Sequence, residues 1–254
     1  MDLKVALNIP DCHIPWHDEG AYSIMLEVAK HVDKKTGIDE INIMGDYADF
    51  YWVSLHSKLP EAMSMHHTLK TEIDTVRQKL EELRTLFPKA KIQFIEGNHE
   101  YRLARYLTAK APELYDFFTV QDLFRLDDLD IIFHPFGKAQ LVRCLGTDYC
   151  LRHQPFNMGK HCAAGTAHSK CISLGFGHTH RKQSYTFMDA LRRELTCYSM
   201  GWLGDRAAPV FSYMDTDNWA QSFQFCFAYG KDWWVQPVDI KNGRAYYDSY
   251  IFKA

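Results

Sequence analysis

The order of predicted elements in the first hundred residues constrains the fold more than any other feature of the sequence. Apolar runs at 5–9, 41–44 and 92–95 predict buried strands, and segments with helical periodicity at 22–32 and 61–87 lie between them. A strand–helix–strand repeat of this kind is typical of parallel strands joined by crossover helices. We therefore predict an α/β fold for this half of the chain.

The second half of the sequence predicts more strands and fewer helices. A helix is expected at 100–110, stopped before Pro112, and another at 157–169. Short apolar and aromatic runs between turn residues predict strands at 131–133, 148–152, 172–176, 183–188, 195–199, 223–228, 233–238 and 245–251. Together the two halves predict one domain over residues 1–254, with two packed mixed β-sheets flanked by helices and a helical insertion at about 58–88.

Composition excludes several classes of protein. The 254 residues carry a formal net charge of −3, which argues against a surface coated in positive charge for binding duplex DNA. Seven cysteines without a CxxC pair fit neither a disulfide framework nor a zinc ribbon, so we expect reduced thiols and a cytoplasmic protein. No apolar stretch reaches the roughly 18 residues that cross a bilayer, and we expect no membrane contact.

Potential metal ligands follow four of the predicted strands. They lie in the blocks Asp11-Cys12-His13, Gly45-Asp46, Gly97-Asn98-His99-Glu100 and Gly177-His178-Thr179-His180. Ligands at i and i+2 of an extended chain point to the same side, and each glycine is expected to allow a sharp turn. Sites in open α/β sheets gather beyond the carboxyl ends of the strands, so the four blocks are expected to meet. Oxygen and imidazole ligands without thiolates suit Mn²⁺, Fe, Ni²⁺ or Zn²⁺.

These blocks resemble the signature of the calcineurin-like metallophosphoesterases, over residues 5 to about 182. The strings IPDCHIPWHD, GNHEYRLARYL and GHTHR resemble the small phage and bacterial branch of that family. The resemblance implies a metallophosphoesterase-like sandwich with two divalent ions, Mn²⁺ first among them, about 3.5 Å apart. It also implies attack on phosphorus by a hydroxide that bridges the ions, and a host cytoplasm as the location of a phage-encoded member.

The resemblance further implies a role for each site residue. Asp11, His13 and His180 would bind one ion, Asn98, His178 and a further histidine the other, and Asp46 both. His99 is not a ligand in this scheme; it faces the substrate and protonates the leaving group.

The further histidine is the open position in this ligand set. The candidates are His134, His153, His161 and His168. His153 ends a predicted strand at a spacing from His178 that fits strand, helix, strand, although Gln154 replaces the glycine that the family usually carries. His134 also follows a strand and is the second choice, and the two histidines on the predicted helix are expected to be helix-face residues.

Four further side chains have a possible part in the site. Arg102 can contact a substrate phosphate, or it can be a solvated surface arginine. Asp49 can orient a ligand or the His99 imidazole, or it can be a simple helix cap. Arg102, Arg105 and Lys110 share one predicted helix and are expected to form a short cationic lip.

The resulting functional prediction is a phosphoester hydrolase that prefers phosphodiesters, with a nucleotide or nucleic acid as substrate and single strands favoured over duplex. The alternatives are a phosphomonoesterase or protein phosphatase, whose Gly-Asp-x-His-Gly and Asp-Arg-Gly motifs are missing here, and a non-catalytic scaffold of the same fold. The chain is expected to be a monomer or a dimer, and the apolar stripe of helix 61–87 is expected to pack within the chain rather than across a dimer.

Overall fold

The computed structural model describes residues 2–56, 58–63, 65, 67–137, 139–212 and 218–254. Its strands are β1 Lys4–Ile9, β2 Glu40–Ile43, β3 Lys91–Ile95, β4 Ile131–His134, β5 Val142–Arg143, β6 Cys150–Arg152, β7 Leu174–Phe176, β8 Lys182–Met188, β9 Glu194–Met200, β10 Ser222–Tyr229, β11 Asp232–Asp239, β12 Arg244–Tyr247 and β13 Tyr250–Lys253. Its α-helices are α1 Glu19–Thr36, α2 Pro60–Met63, α3 Leu69–Leu86, α4 Tyr101–Lys110, α5 Val120–Phe124 and α6 Cys162–Lys170.

Two mixed sheets form the centre of the molecule. The larger has the order β11-β10-β1-β2-β3-β4. Strands β1 to β4 are parallel to one another, and β10 is antiparallel to both of its neighbours, β1 and β11. The smaller has the order β5-β6-β7-β9-β8, with β6, β7 and β9 parallel. The prediction of an α/β fold with two mixed sheets and flanking helices is confirmed.

The helices and the two sheets form four layers, and the residues of each strand that are buried together show this arrangement. Alternate residues of β1, such as Leu7, pack with α1, α3 and α4 on the outer face of the larger sheet. The intervening residues, such as Ala6, pack against Leu151 and Met200 of the smaller sheet. Phe176 and its neighbours pack under α6 on the far side of the smaller sheet. The period-two alternation of strand side chains therefore divides one chain between three apolar clusters.

A row of amide side chains crosses the buried face between the two sheets. Asn8, Asn42 and Gln93 lie opposite one another on β1, β2 and β3. Asn42 Nδ2 donates to Asn8 Oδ1 at 3.0 Å, and Gln93 Nε2 donates to Asn42 Oδ1 at 2.9 Å. His134 Nε2 continues the row by donating to Gln93 Oε1 at 3.0 Å. We call these four residues the amide ladder; its members pair with one another because each polar group in this position would otherwise be buried without a partner.

The single long helix predicted at 61–87 is wrong in its first third. Helix α3 begins only after Thr68, whose hydroxyl accepts from the Thr71 N–H while the Thr71 hydroxyl accepts from the Thr68 N–H, a reciprocal cap. Residues 64 and 66 of the predicted helix lie outside the described residues. The apolar stripe itself is buried within this chain, with Val76, Leu80 and Leu83 fully covered in the core, so it packs as expected.

Two smaller predictions also need correction. The strand predicted at 245–251 is a hairpin, because Asp248 and Ser249 adopt positive φ values of 50° and 67° and reverse the chain between β12 and β13. The helix predicted at 157–169 is shorter at its start and begins at Cys162. Among the described residues, each helix is too short or too polar to cross a bilayer.

Candidate metal centre

The carboxyl ends of five parallel strands from both sheets carry the predicted ligands. In the larger sheet, β1 precedes Asp11 and His13, β2 precedes Asp46, and β3 precedes Asn98. In the smaller sheet, β6 ends directly before His153, and β7 ends two residues before His178. Because the two sheets face one another, their strand ends converge, and the blocks meet as expected.

The first group of potential ligands is fully buried. It comprises Asp11, His13, Asp46 and His180, whose ligand atoms all lie within 4.8 Å of one another. His13 Nε2 and His180 Nε2 are 2.9 Å apart. His13 Nδ1 donates to Asp49 Oδ2 at 3.0 Å, which leaves the Nε2 lone pair directed at the centre of the group.

The second group shares Asp46 with the first and adds His153 and His178. His153 Nδ1 donates to the Met44 carbonyl at 2.8 Å, so its Nε2 faces the cluster and offers a lone pair once its proton is lost. That atom lies 2.9 Å from Asn98 Oδ1, 3.3 Å from Asp46 Oδ2 and 3.3 Å from His178 Nδ1. A proton on His153 Nε2 or a bound cation must lie between these atoms, because acceptor atoms this close to one another otherwise repel.

The donor set fits divalent cations. Both groups offer only carboxylate and imidazole atoms, with the amide oxygen of Asn98 beside the second, which is the chemistry of Mn²⁺, Fe, Ni²⁺ or Zn²⁺ sites. Each of the two fixed imidazoles, His13 and His153, is held by a bond from its other nitrogen, as metal-bound histidines are. The buried cluster can therefore bind metal ions, with Asp46 as the residue common to both groups.

The pKa values of the cluster residues also indicate a position that favours a cation. Burial opposes a positive charge on His153, but the Asp46 and Asp11 carboxylates overcome it and raise the pKa of His153 to about 9. Burial, together with the nearby His153, lowers the pKa of His178 to about 3. Burial raises the pKa of Asp11 to about 7. Without a metal, the carboxylates thus favour one positive charge on His153 beside Asp46, while His178 stays neutral; a cation bound in the second group would take the place of the His153 proton.

The backbone is left-handed at four of these positions. His13, Asp46, His178 and His180 have φ values of 56°, 49°, 67° and 55°. Non-glycine residues rarely adopt this region, and when they do the strain tends to lie at functional sites. The i and i+2 ligands therefore converge through a kinked backbone, not through the extended chain that the sequence suggested.

The glycines that precede the ligands have two different roles. Gly45 has a φ of 86°, and it provides the sharp turn that was predicted. Gly177 does not have a left-handed φ; instead, a Cβ there would lie 2.7 Å from Asp11 Oδ2. Its role is to let the end of β7 approach the ligand carboxylate.

His99 lies at the edge of the cluster with Asp49 and Arg102. His99 Nδ1 donates to the Asp49 carbonyl at 3.0 Å and lies 3.1 Å from Asp49 Oδ2. Its Nε2 faces the cluster, 3.8 Å from Asp46 Oδ2. Burial acts to lower the pKa of His99, but Asp46 and Asp49 outweigh it and raise that pKa above its ordinary value.

Arg102 is not a solvated surface arginine. Its Nη1 donates to the Asp49 carbonyl at 2.8 Å and to Asp49 Oδ1 at 3.0 Å, and its Nη2 lies 2.9 Å from His99 Nε2. Asp49 is therefore shared by two imidazoles and a guanidinium, and it is not a helix cap. His13, Asp49 and His99 also come close enough to hold an ion, but the guanidinium beside them disfavours a further cation there.

Sequence reasoning gave Glu100 no role, and the structure gives it one. The side chain is fully buried. Its Oε2 accepts from the N–H groups of Asp46 and Gly97, and its Oε1 accepts from Ala48, each at 2.9 Å. It fixes the loop that carries Asp46, and the only signal for it in the sequence is its place directly after His99.

Aromatic rings enclose His180. The Trp202 ring stacks on it with centroids 4.9 Å apart, and the Trp219 ring meets it edge-on at 4.3 Å. The Nδ1 of His180 is buried without a hydrogen-bond partner among the described residues. Ring packing, not a second hydrogen bond, therefore sets the orientation of this imidazole.

The other candidate histidines lie elsewhere. His134 belongs to the amide ladder, His161 directly precedes α6, and His168 bonds the Tyr185 hydroxyl at 2.9 Å on an exposed surface. Only His153 of the four reaches the cluster. Gln154 does not prevent this, because the turn after β6 is made without a glycine.

Comparison with solved structures finds chains similar to this one. The chain is similar to a structure of Vacuolar Protein Sorting 29 from Cryptosporidium parvum, with a TM-score of 0.48 and 14% sequence identity over 100% of both chains. No protein-family model and no curated protein sequence matches the chain.

Proposed function

We propose that this chain is a phosphoester hydrolase that uses two divalent ions. The observation that carries the proposal is the pair of buried ligand groups that share Asp46. A carboxylate common to two groups of imidazoles is the arrangement expected where two ions act on one phosphorus centre. The motif resemblance given above supports the same reaction.

The two ions would be held by residues that the structure already brings together. They are Asp11, His13 and His180 for the first ion, Asn98, His153 and His178 for the second, and Asp46 for both. Ions bound there would activate water and neutralise the charge that develops on the phosphoryl oxygens.

His99 would supply the proton for the leaving oxygen. Asp49 accepts at Nδ1, so Nε2 is the ring atom that can hold and donate a proton toward the cluster. Arg102 donates to that same atom in the structure. A phosphate is a stronger partner for a guanidinium than an imidazole is, so substrate binding would draw Arg102 onto the phosphate and free Nε2.

A phosphodiester, with a nucleotide or single-stranded nucleic acid as the natural source, is the proposed substrate. The protein-phosphatase motifs are missing from the sequence. Arg102 and Arg105 line the approach to the cluster and can hold the second phosphate substituent of a backbone. We also propose that the two ions are Mn²⁺ and that the protein is cytoplasmic.

The test compares bis-p-nitrophenyl phosphate with p-nitrophenyl phosphate under the same Mn²⁺ concentration and pH. We expect a higher kcat/KM for the diester. A preference for the monoester of more than about tenfold, or ~1.4 kcal/mol, would replace the proposal with a phosphomonoesterase. Hydrolysis of neither ester by protein that has bound Mn²⁺ would favour the scaffold alternative.

A further inference from the structure

A cleft of about 540 Å³ opens beside His99. Its walls are largely apolar: Tyr51, Leu59, Val210 and Phe211. Three of these four side chains are themselves buried in the aromatic cluster that supports the site. A volume of this size is typical of pockets for one small organic group and is too small for a duplex.

Arg102 separates this cleft from a second, smaller hollow. The smaller hollow is lined by Asn98 and Arg105 together with Leu55. Arg102 and His56 border both spaces. The two sides of the proposed phosphate position therefore differ in character: one side is apolar and aromatic, and the other is polar and cationic.

The position of His99 decides which side takes the leaving group. His99 forms part of the wall of the apolar cleft and not of the smaller hollow. When the P–O bond breaks, its electron pair goes to the leaving oxygen, and a proton from His99 Nε2 makes that oxygen a neutral hydroxyl. The acid must lie next to the oxygen it protonates, so the leaving group must occupy the apolar cleft.

The cleft walls indicate what kind of group that is. The Tyr51 and Phe211 rings lie in the wall of the cleft, and the Phe211 ring also packs against His13 of the metal cluster, with centroids 5.4 Å apart. Rings held this firmly suit a flat aromatic group, which gains both apolar burial and ring stacking. A small aliphatic alcohol would leave most of the cleft to water.

We propose that this cleft is a leaving-group pocket that selects a planar aromatic group the size of one nucleoside or aryl alcohol. The inference rests on the proposed hydrolase function and adds to it which half of the diester departs.

The test uses two methyl phosphodiesters with leaving groups of matched acidity, one a phenol and the other a fluorinated alkyl alcohol. We expect kcat/KM at least about tenfold higher for the phenyl ester. Isothermal titration calorimetry with phenylphosphonate and methylphosphonate gives a second readout that does not need turnover, and it should show tighter binding of the phenyl compound.

Leu59→Trp fills the cleft, and Leu59 is not one of the potential metal ligands. It should remove most of the preference for the phenyl ester while the alkyl ester is still hydrolysed. Leu55→Trp is the matched control, because Leu55 lines only the smaller hollow; the ratio of the two esters should stay as in the wild type.

The possible failures are distinguishable. Equal kcat/KM for the two esters, or a Leu59→Trp variant that slows both to the same extent, would overturn the leaving-group pocket and leave the hydrolase intact. Failure to hydrolyse either ester with Mn²⁺ bound would overturn the proposed hydrolase, and the pocket assignment with it.

Discussion

Replacement of His99 by asparagine tests the division of labour between metal ligands and acid. His99 lies outside the two groups that share Asp46, and its side-chain bonds go to Asp49 and Arg102. The backbone N–H of His99, which donates to Asp46 Oδ1 at 2.8 Å, is unchanged by the substitution. We therefore expect His99→Asn to keep the bound metal and to lose the proton donor.

The size of the effect follows from that loss. A positioned acid contributes roughly 10²- to 10⁴-fold to a rate, so kcat should fall by that factor. This corresponds to a loss of about 2.7 to 5.4 kcal/mol of transition-state stabilisation. The lost hydrogen bonds to Asp49 cost about 1 to 3 kcal/mol of folding stability, which a domain of this size tolerates. The fall in kcat should be largest for phenyl esters and small for p-nitrophenyl esters, whose leaving oxygen needs little protonation.

Steady-state kinetics with both esters and metal analysis of the purified protein form the assay. His168→Asn is the matched control, because that histidine is exposed and bonds only the Tyr185 hydroxyl among the described residues. Loss of metal in His99→Asn would show that this histidine is a ligand. An equal fall in kcat for good and poor leaving groups would refute its role as an acid.

Four further perturbations test other parts of the structure. Asp46→Asn weakens both ligand groups at once, so the metal content of Mn²⁺-loaded protein should fall from about two ions per chain to fewer than one. Gly177→Ala places a Cβ 2.7 Å from Asp11 Oδ2 and should reduce metal content and activity, whereas Gly137→Ala, with no atom within 4 Å of the new Cβ, should not. Leu80→Ala should lower the free energy of unfolding by about 2 to 5 kcal/mol in urea titrations, since the side chain is fully buried; a loss below about 1 kcal/mol would show that α3 is not part of the core. Burial and the nearby Asp49 charge raise the pKa of Glu72, so folding takes up a proton there, and the free energy of unfolding falls as the pH rises above the unfolded pKa. Glu72→Gln should therefore raise the melting temperature more at about pH 8 than at about pH 5, and an equal shift at both would contradict this.

The sequence was sufficient to predict the strands and the cluster because both depend on local patterns. Apolar runs mark β1, β2 and β3, and a ligand that directly follows a strand end is carried to the edge where parallel strands meet. His153 could be selected over His134 because its spacing from β7 fits a crossover, and the structure places it in the cluster while His134 pairs with Gln93.

Other features depend on contacts between residues far apart in the chain. No local pattern distinguishes Glu100 as the acceptor of three backbone N–H groups, because two of its partners lie more than fifty positions away. Positive φ at His13 and Asp46 is imposed by the loops that meet there and not by the residues themselves, since histidine and aspartate prefer other conformations. The aromatic walls around His180 and the cleft arise only when Trp202, Phe211 and Trp219 pack on one another and on His13 and His180, which lie far away in the sequence.

The amide ladder restricts how sequences related to this one can diverge. Each of its amides satisfies the next, so replacing Asn42 alone with an apolar residue leaves Asn8 and Gln93 each with an unpaired buried group, at about 1 to 3 kcal/mol apiece. Replacing all three amides together removes most of the penalty at once, because the fourth member of the ladder, His134, is only partly buried when it loses Gln93. The all-amide and the all-apolar combinations are therefore both tolerable, whereas the single substitutions that lead from one to the other are disfavoured. The effects of substitution at the three positions depend on one another. Across homologues, Asn8, Asn42 and Gln93 should be polar together or apolar together, with mixed combinations rare.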